Sequence, residues 1–196
     1  MRWSPGRRRP LRLVDPDRTV TGMSRVAVVL PGGRFGPHAP LLMYAADAAE
    51  ARGATPHHVT WDPPYDPAAL PLERAERWVA EQVPAGDLLI GKSLGSLGAG
   101  VAAARGLPAV WLTPLLTIAP AATALRRASA PVLLVGGTAD PVWDGALARE
   151  ITPHVLEVEG ADHGMYVPGR LARSAEILGR VATAVEDFLD DVVWPA

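Results

Sequence analysis

A serine, an acid and a histidine follow one another along the chain, each just past a short apolar run: Ser93, Asp140 and His163. Residues of these types can perform nucleophilic catalysis once the fold brings them together, with a hydroxyl activated by a neighbouring base. Asp144 and Asp162 compete with Asp140 for the place of the acid. The serine lies in Gly91-Lys92-Ser93-Leu94-Gly95, a G-x-S-x-G spacing between an apolar run and a small-residue segment. A strand that turns abruptly into a helix holds the middle residue in strained dihedrals. The flanking positions then come too close to neighbouring backbone for a Cβ. The hydroxyl is pushed out at the end of the strand, and the N–H of Leu94 points where an oxyanion would form. A second donor is expected from the glycine turn after the first strand, at Gly33 or Arg34.

Short apolar runs alternate with amphipathic segments from Arg25 onward. Strands are predicted at Arg25–Leu30, His57–Trp61, Asp87–Ile90, Ala109–Leu112, Val132–Val135 and His154–Val158. Helices are predicted at Leu41–Arg52, Leu72–Val83, Leu94–Arg105, Ala121–Ala128, Val142–Glu150 and Arg170–Asp190. Gly53 and Gly106 are the breakers expected after two of them. Strands separated by helices need crossover connections. The expected fold is therefore α/β, an open, mostly parallel six-stranded sheet with helices on both faces. In such sheets functional groups gather beyond the carboxyl ends of the strands, where the three residues fall.

With the Gly-Thr-Ala-Asp-Pro-Val turn at 137–142 and the Gly-Ala-Asp-His-Gly turn at 160–164, the elbow resembles the α/β-hydrolase superfamily over residues 25–190. The resemblance implies that Ser93 is the nucleophile, Asp140 the triad acid and His163 the base. It also implies a soluble serine hydrolase acting on esters or thioesters, with no metal or organic cofactor and a small-molecule substrate. Two departures stand out. The family's two leading antiparallel strands are missing, and only Thr113–Pro131 separates the fourth strand from the fifth, leaving no room for a cap domain. The other reading of the same scaffold is a catalytically silent protein that binds a small molecule or a partner.

Gly86 to Ser93 also satisfies G-x-x-x-x-G-K-[ST], the phosphate-binding loop pattern. Its middle residues form a strand whose N–H groups are committed to a sheet, so nucleotide binding is not expected. Lys92 is placed at the elbow's outer flank, lending positive charge near the mouth or pairing with an acid. Trp61, Trp111 and Trp143 fall at strand ends, where helix–sheet packing competes with an apolar substrate wall. Phe35, Trp61, Trp143 and Met165 are the expected wall residues, with Tyr166 nearby. His38, His57, His58 and His154 are read as surface or strand residues, not ligands.

Composition sets the outer bounds. Hydrophobic residues make up 48% of the 196 and charged residues 20%, enough for one folded domain. No cysteine is present, which excludes disulfides, thiolate metal sites and a cysteine nucleophile. A chain without cysteine suits a reducing compartment, and a cytoplasmic location is expected. Of 19 basic residues 18 are arginine, and with the abundant Ala, Gly and Pro this bias points to a GC-rich bacterial genome. Residues 1–22 hold six arginines against two aspartates, leaving 13 basic and 19 acidic residues from Met23 onward. An acidic body is a poor partner for nucleic acid. The apolar runs are too short to span a bilayer. Residues 1–22 are read as a disordered or non-native extension with Met23 as the start, and 23–196 as the hydrolase-like domain.

Overall fold

The computed structural model describes residues 25–34 and 36–195. The expectations for residues 1–22 and for Phe35 lie outside the described residues. Six strands form one sheet: β1 Arg25–Leu30, β2 Ala54–His58, β3 Leu88–Lys92, β4 Ala109–Leu112, β5 Val132–Gly137 and β6 Val155–Val158. All pairings are parallel, in the order β2-β1-β3-β4-β5-β6. The helices are α1 Pro40–Glu50, α2 Glu76–Ala80, α3 Ala99–Arg105, α4 Ala119–Leu125, α5 Gly145–Ile151 and α6 Leu171–Phe188.

Side chains alternate across a strand, so each β-branched run supplies two layers at once. Val28, Leu30, Leu89, Trp111 and Leu134 pack against α2 to α5. Ala27, Val29, Ile90, Val110 and Val135 pack against α1 and α6. With both faces covered, the central strands are continuous apolar runs, as parallel sheets require. Strand order reverses between β1 and β3. The chain leaves β1 toward β2 on one side, and β3 pairs on the other. That switch opens a crevice beyond the carboxyl ends of these two strands.

Several elements differ from expectation. The segment Leu72–Val83 is a 3₁₀ turn at Leu72–Arg74 followed by the five-residue α2. Within it only Ala75, Val79 and Val83 are buried, so packing holds little of the segment in a longer helix. The segment after Ser93 starts as a 3₁₀ helix, Ser93–Gly98, before becoming α3. Gly98 lies so close to Leu30 that a Cβ there would come within 2.7 Å of its Cδ1, and this contact accompanies the tighter winding. Strand β2 ends at His58, although the Val59 N–H still reaches the Val29 carbonyl at 2.9 Å. The last helix ends in a π-helical turn, Leu189–Val193. Among the described residues no helix is long and apolar enough to cross a membrane.

At the β6 edge, Glu157 accepts hydrogen bonds from Trp143 Nε1 and from Arg149, both at 2.8 Å. These donors hold its carboxyl below the usual glutamate range. A carboxyl with a depressed folded pKa stabilises the fold above its unfolded pKa and loses that contribution as pH falls through the folded value. Glu157→Gln is therefore expected to lower the Tm at neutral pH by about 2–4 °C, the shift for roughly 1 kcal/mol in a domain of this size. The gap should narrow as pH falls from neutral into acid, below the ordinary glutamate range and through the lowered folded value. Thermal melts of both proteins at neutral and acid pH check this, and a gap that persists in acid would place the effect in packing.

Candidate active site

Ser93 follows β3 directly and holds φ at +52°, a left-handed conformation rare for a residue with a side chain. Its neighbours explain why the backbone accepts it. A Cβ on Gly91 would meet the Trp111 ring at 2.5 Å, and one on Gly95 would overlap the Leu30 carbonyl oxygen. The chain can pass between β1 and β4 only with glycine at both places. The Ser93 carbonyl accepts from Ser96 Oγ at 2.6 Å, and the same oxygen of Ser96 accepts from the Leu115 N–H at 3.1 Å. Ser96 is fully buried, so the elbow is pinned from below.

The loops after β5 and β6 are zipped to each other. The Ala139 N–H reaches the Ala161 carbonyl at 3.0 Å, and the Gly160 N–H reaches Thr138 Oγ1 at 2.8 Å. Gly137 sits so tightly on Ala161 that a Cβ would overlap its carbonyl. This pairing sets Asp140 beside His163. His163 Nδ1 lies 2.7 Å from Asp140 Oδ2, and His163 Nε2 lies 2.8 Å from Ser93 Oγ. The other carboxylate oxygen, Asp140 Oδ1, accepts from the Val142 N–H at 3.0 Å. The Asp140 side chain is 0% exposed and that of His163 is 38% exposed, so the carboxylate is sealed while the ring edge meets solvent. With Asp140 as acceptor, the His163 proton sits on Nδ1 and Nε2 is left to accept from the serine.

Neither a protein-family model nor a curated protein matches the sequence. Solved structures do match. A dienelactone hydrolase from Anabaena variabilis aligns at 20% identity over 88% of each chain, with a TM-score of 0.59. A structure described as an alpha-beta serine hydrolase homologue from Coxiella burnetii aligns at 19% identity. It covers 83% of this chain and 86% of that one, with a TM-score of 0.54. A putative hydrolase of the alpha/beta superfamily from Xanthomonas campestris aligns at 19% identity over 86% of this chain and 99% of that one, with a TM-score of 0.55. The chain has the α/β-hydrolase fold.

In this α/β-hydrolase fold Asp144 and Asp162 do other work. Asp144 caps α5 by accepting from the Leu147 N–H at 3.0 Å. Asp162 Oδ1 accepts from the N–H groups of Gly164 and Tyr166 at 2.8 and 2.9 Å, which curls the loop that carries His163. The glycine turn after β1 lies against the elbow. A Cβ on Gly32 would stand 3.6 Å from Ser93 Cβ, and one on Gly33 would stand 3.6 Å from Leu94 Cδ2. Arg34 is exposed next to it.

The expected apolar wall is corrected. Trp61, Trp143 and Met165 are buried, with exposures of 7%, 9% and 3%. Trp61 Nε1 donates to the Gly32 carbonyl at 3.2 Å, so this ring braces the glycine turn. The Trp143 ring occupies the space a Cβ on Gly136 would need, and its Nε1 is spent on Glu157. Met165 packs into the core shared with α1 and α6. Of the two roles expected for Lys92, pairing with an acid is corrected: its Nζ donates to Thr113 Oγ1 at 3.2 Å and to the His163 carbonyl at 3.1 Å, neither of them an acid. The sequence reading missed Thr113, Thr138 and Tyr65, which lies against Gly33. For Thr113 the signal was present: it directly follows the strand that pairs with the elbow strand.

Gly95→Ala tests the elbow. The methyl has only the Leu30 backbone to displace, so a loss of about 1–3 kcal/mol is expected, as for overpacked cores. Gly179 in α6 has nothing within 4 Å of its Cβ position. Gly179→Ala should leave the Tm unchanged or raise it slightly through helix propensity. Equal melts for the two variants would contradict the close-approach account.

Proposed function

We propose that this protein is a serine hydrolase that cleaves small carboxylic esters or thioesters through an acyl-enzyme on Ser93. The observation that carries the reading is the unbroken contact from Ser93 Oγ to His163 Nε2 at 2.8 Å and from His163 Nδ1 to Asp140 at 2.7 Å. The chemistry follows from that order. Ser93 Oγ attacks the acyl carbon while His163 Nε2 takes its proton, and Asp140 holds the ring in the right tautomer and offsets the imidazolium charge. The carbonyl oxygen, now an oxyanion, accepts from the N–H of Leu94 and from that of Gly33 or Arg34. His163 returns its proton to the departing alcohol or thiol. Water then attacks the acyl-enzyme, with His163 as base, and the acid leaves.

A fluorophosphonate probe followed by peptide mapping is expected to mark Ser93. Ser93→Ala should abolish labelling and lower esterase turnover by several orders of magnitude with the fold intact, because triad members act as a unit. Asp140→Asn should be severe. Asp162→Asn should be mild, since an amide oxygen can still accept from Gly164 and Tyr166. Near wild-type turnover in Ser93→Ala, or equal losses in the two aspartate variants, would defeat the assignment. An unlabelled, inactive wild type would instead favour a silent binding scaffold.

Substrate length follows from the lack of an inserted domain among the described residues. Between β4 and β5 the only helix is α4, seven residues long, and the tryptophans expected as walls are buried. Each buried methylene contributes about 0.8 kcal/mol, so a shallow cleft stops rewarding chain length early. On p-nitrophenyl esters kcat/KM should peak at roughly two to six acyl carbons, where about 4 kcal/mol is already gained. A constant that climbs beyond about ten carbons would require a tunnel and refute the open-cleft reading.

A further inference from the structure

Lys92 is the only lysine among 19 basic residues, and it stands immediately before Ser93 at the end of β3. Its ammonium reaches across the top of the sheet. One bond goes to Thr113 Oγ1 at the exit of β4, the other to the backbone carbonyl of His163 in the loop after β6. In the sheet, β4 and β5 lie between β3 and β6, so this side chain joins segments that the strand ladder does not pair directly. The acceptors are well fixed. Thr113 is fully buried, holds φ at +44° and donates its N–H to the Val135 carbonyl at 2.7 Å.

We propose that Lys92 is a positioning residue: it ties the His163 loop to the elbow strand and so sets the distance between His163 Nε2 and Ser93 Oγ. The inference rests on the serine-hydrolase reading given above. Apart from the contacts of the His163 ring with Asp140 and Ser93, the other bonds named for the loop hold it internally, through Asp162, or to the exit of β5, through Ala139 and Thr138. Those bonds fix the loop's shape and its place beside Asp140. Lys92 fixes its place relative to the strand that ends in the nucleophile. Lysine suits this task better than arginine. Two lone oxygens on separate segments call for rotatable donors on a compact head, whereas a guanidinium fork matches a single planar carboxylate. Burial lowers the Lys92 pKa, and the charges of Asp140 and Asp162 pull it back up. The tether does not depend on that balance, because a neutral amine still carries two N–H donors.

The absence of native cysteine supplies a direct test. Lys92→Met keeps the apolar stem without the donors. Lys92→Cys alkylated with 2-bromoethylamine rebuilds an amine of lysine length at that one position, and alkylation with iodoethane leaves a stem without nitrogen. The readouts are the rate of fluorophosphonate labelling at Ser93, kcat and KM on p-nitrophenyl butyrate, and the Tm. Lys92→Met should label, and turn over, about ten- to hundred-fold more slowly, the scale expected for an ångström of misplacement. KM should stay within about twofold, because ground-state binding is untouched. The aminoethyl form should recover most of the rate and the ethyl form should not, with the two melting alike. If Lys92→Met does not fold, the alkylated pair decides alone. Wild-type labelling in a folded Lys92→Met protein, or equal rates in the alkylated pair, overturns the proposal and leaves the serine reading intact. A wild type that does not label at Ser93 overturns both.

Discussion

The absence of a Cβ at Gly95 lets the chain leaving β3 press against the Leu30 carbonyl, and much else at the top of the sheet depends on that approach. It brings the start of the elbow helix over β1. On the other side Gly91 lets the Trp111 ring close against β3. Held between these two contacts, the backbone reverses within one residue, and Ser93 takes the positive φ that the reversal demands. Strain at a single residue costs of order 1–3 kcal/mol and persists only where the surroundings over-determine it. Here buried Ser96, bonded to the Ser93 carbonyl and to Leu115, supplies part of that over-determination. The same approach places Ser93 at the β1–β3 switch, where the sheet leaves a crevice open.

The remaining two residues reach that crevice by a separate route. Strands β5 and β6 lie at the far side of the sheet, and their exit loops are locked to each other through Gly137, Thr138, Ala139 and Ala161. The Asp140–His163 pair is therefore held by loops that do not carry Ser93. The two parts of the site then have to be brought into register across β4. The sheet fixes that register to within the play of its twist, and a bond across the strand exits, such as that from Lys92, narrows it further.

Much of this was legible in the sequence where local chemistry dictates geometry. Strands β1 and β4 have the bounds their β-branched and apolar runs predict, and the parallel sheet follows from strands alternating with helices. The elbow glycines could be read because their spacing has a steric cause. Helix α2 could not, since the propensity of Leu72–Val83 says nothing of how little of the segment is buried. The tryptophans were ambiguous for a related reason. A large ring at a strand end can face solvent or fill a gap, and which it does depends on whether a glycine stands opposite. Gly136 beneath Trp143 and Gly91 beside Trp111 are such partners, and only the loop's fold or the strand pairing brings them together. The bonds of Lys92 could not be read because their acceptors, a threonine hydroxyl and a main-chain carbonyl, leave no charge signature to match.

Burying Trp61, Trp143 and Met165 has a consequence for how a substrate would be held. Their apolar surface is committed to supporting loops, with Trp61 fixed to the Gly32 carbonyl and Trp143 to Glu157. They stabilise the positions of backbone groups and offer little area to an acyl chain. Tyr65 packs against the same glycine turn from the β2 side, in line with Trp78 and Trp61 at ring separations of 5.6 and 5.3 Å. The aromatic residues thus form a brace beneath the turn after β1. In the proposed hydrolase that brace would serve the transition state more than the ground state, because it fixes the donors that meet an oxyanion and leaves the substrate's apolar tail in water. Binding energy concentrated on the reacting atoms raises turnover, whereas a deep apolar wall would chiefly lower KM. An open cleft with a rigid floor is therefore consistent chemistry for small acyl groups.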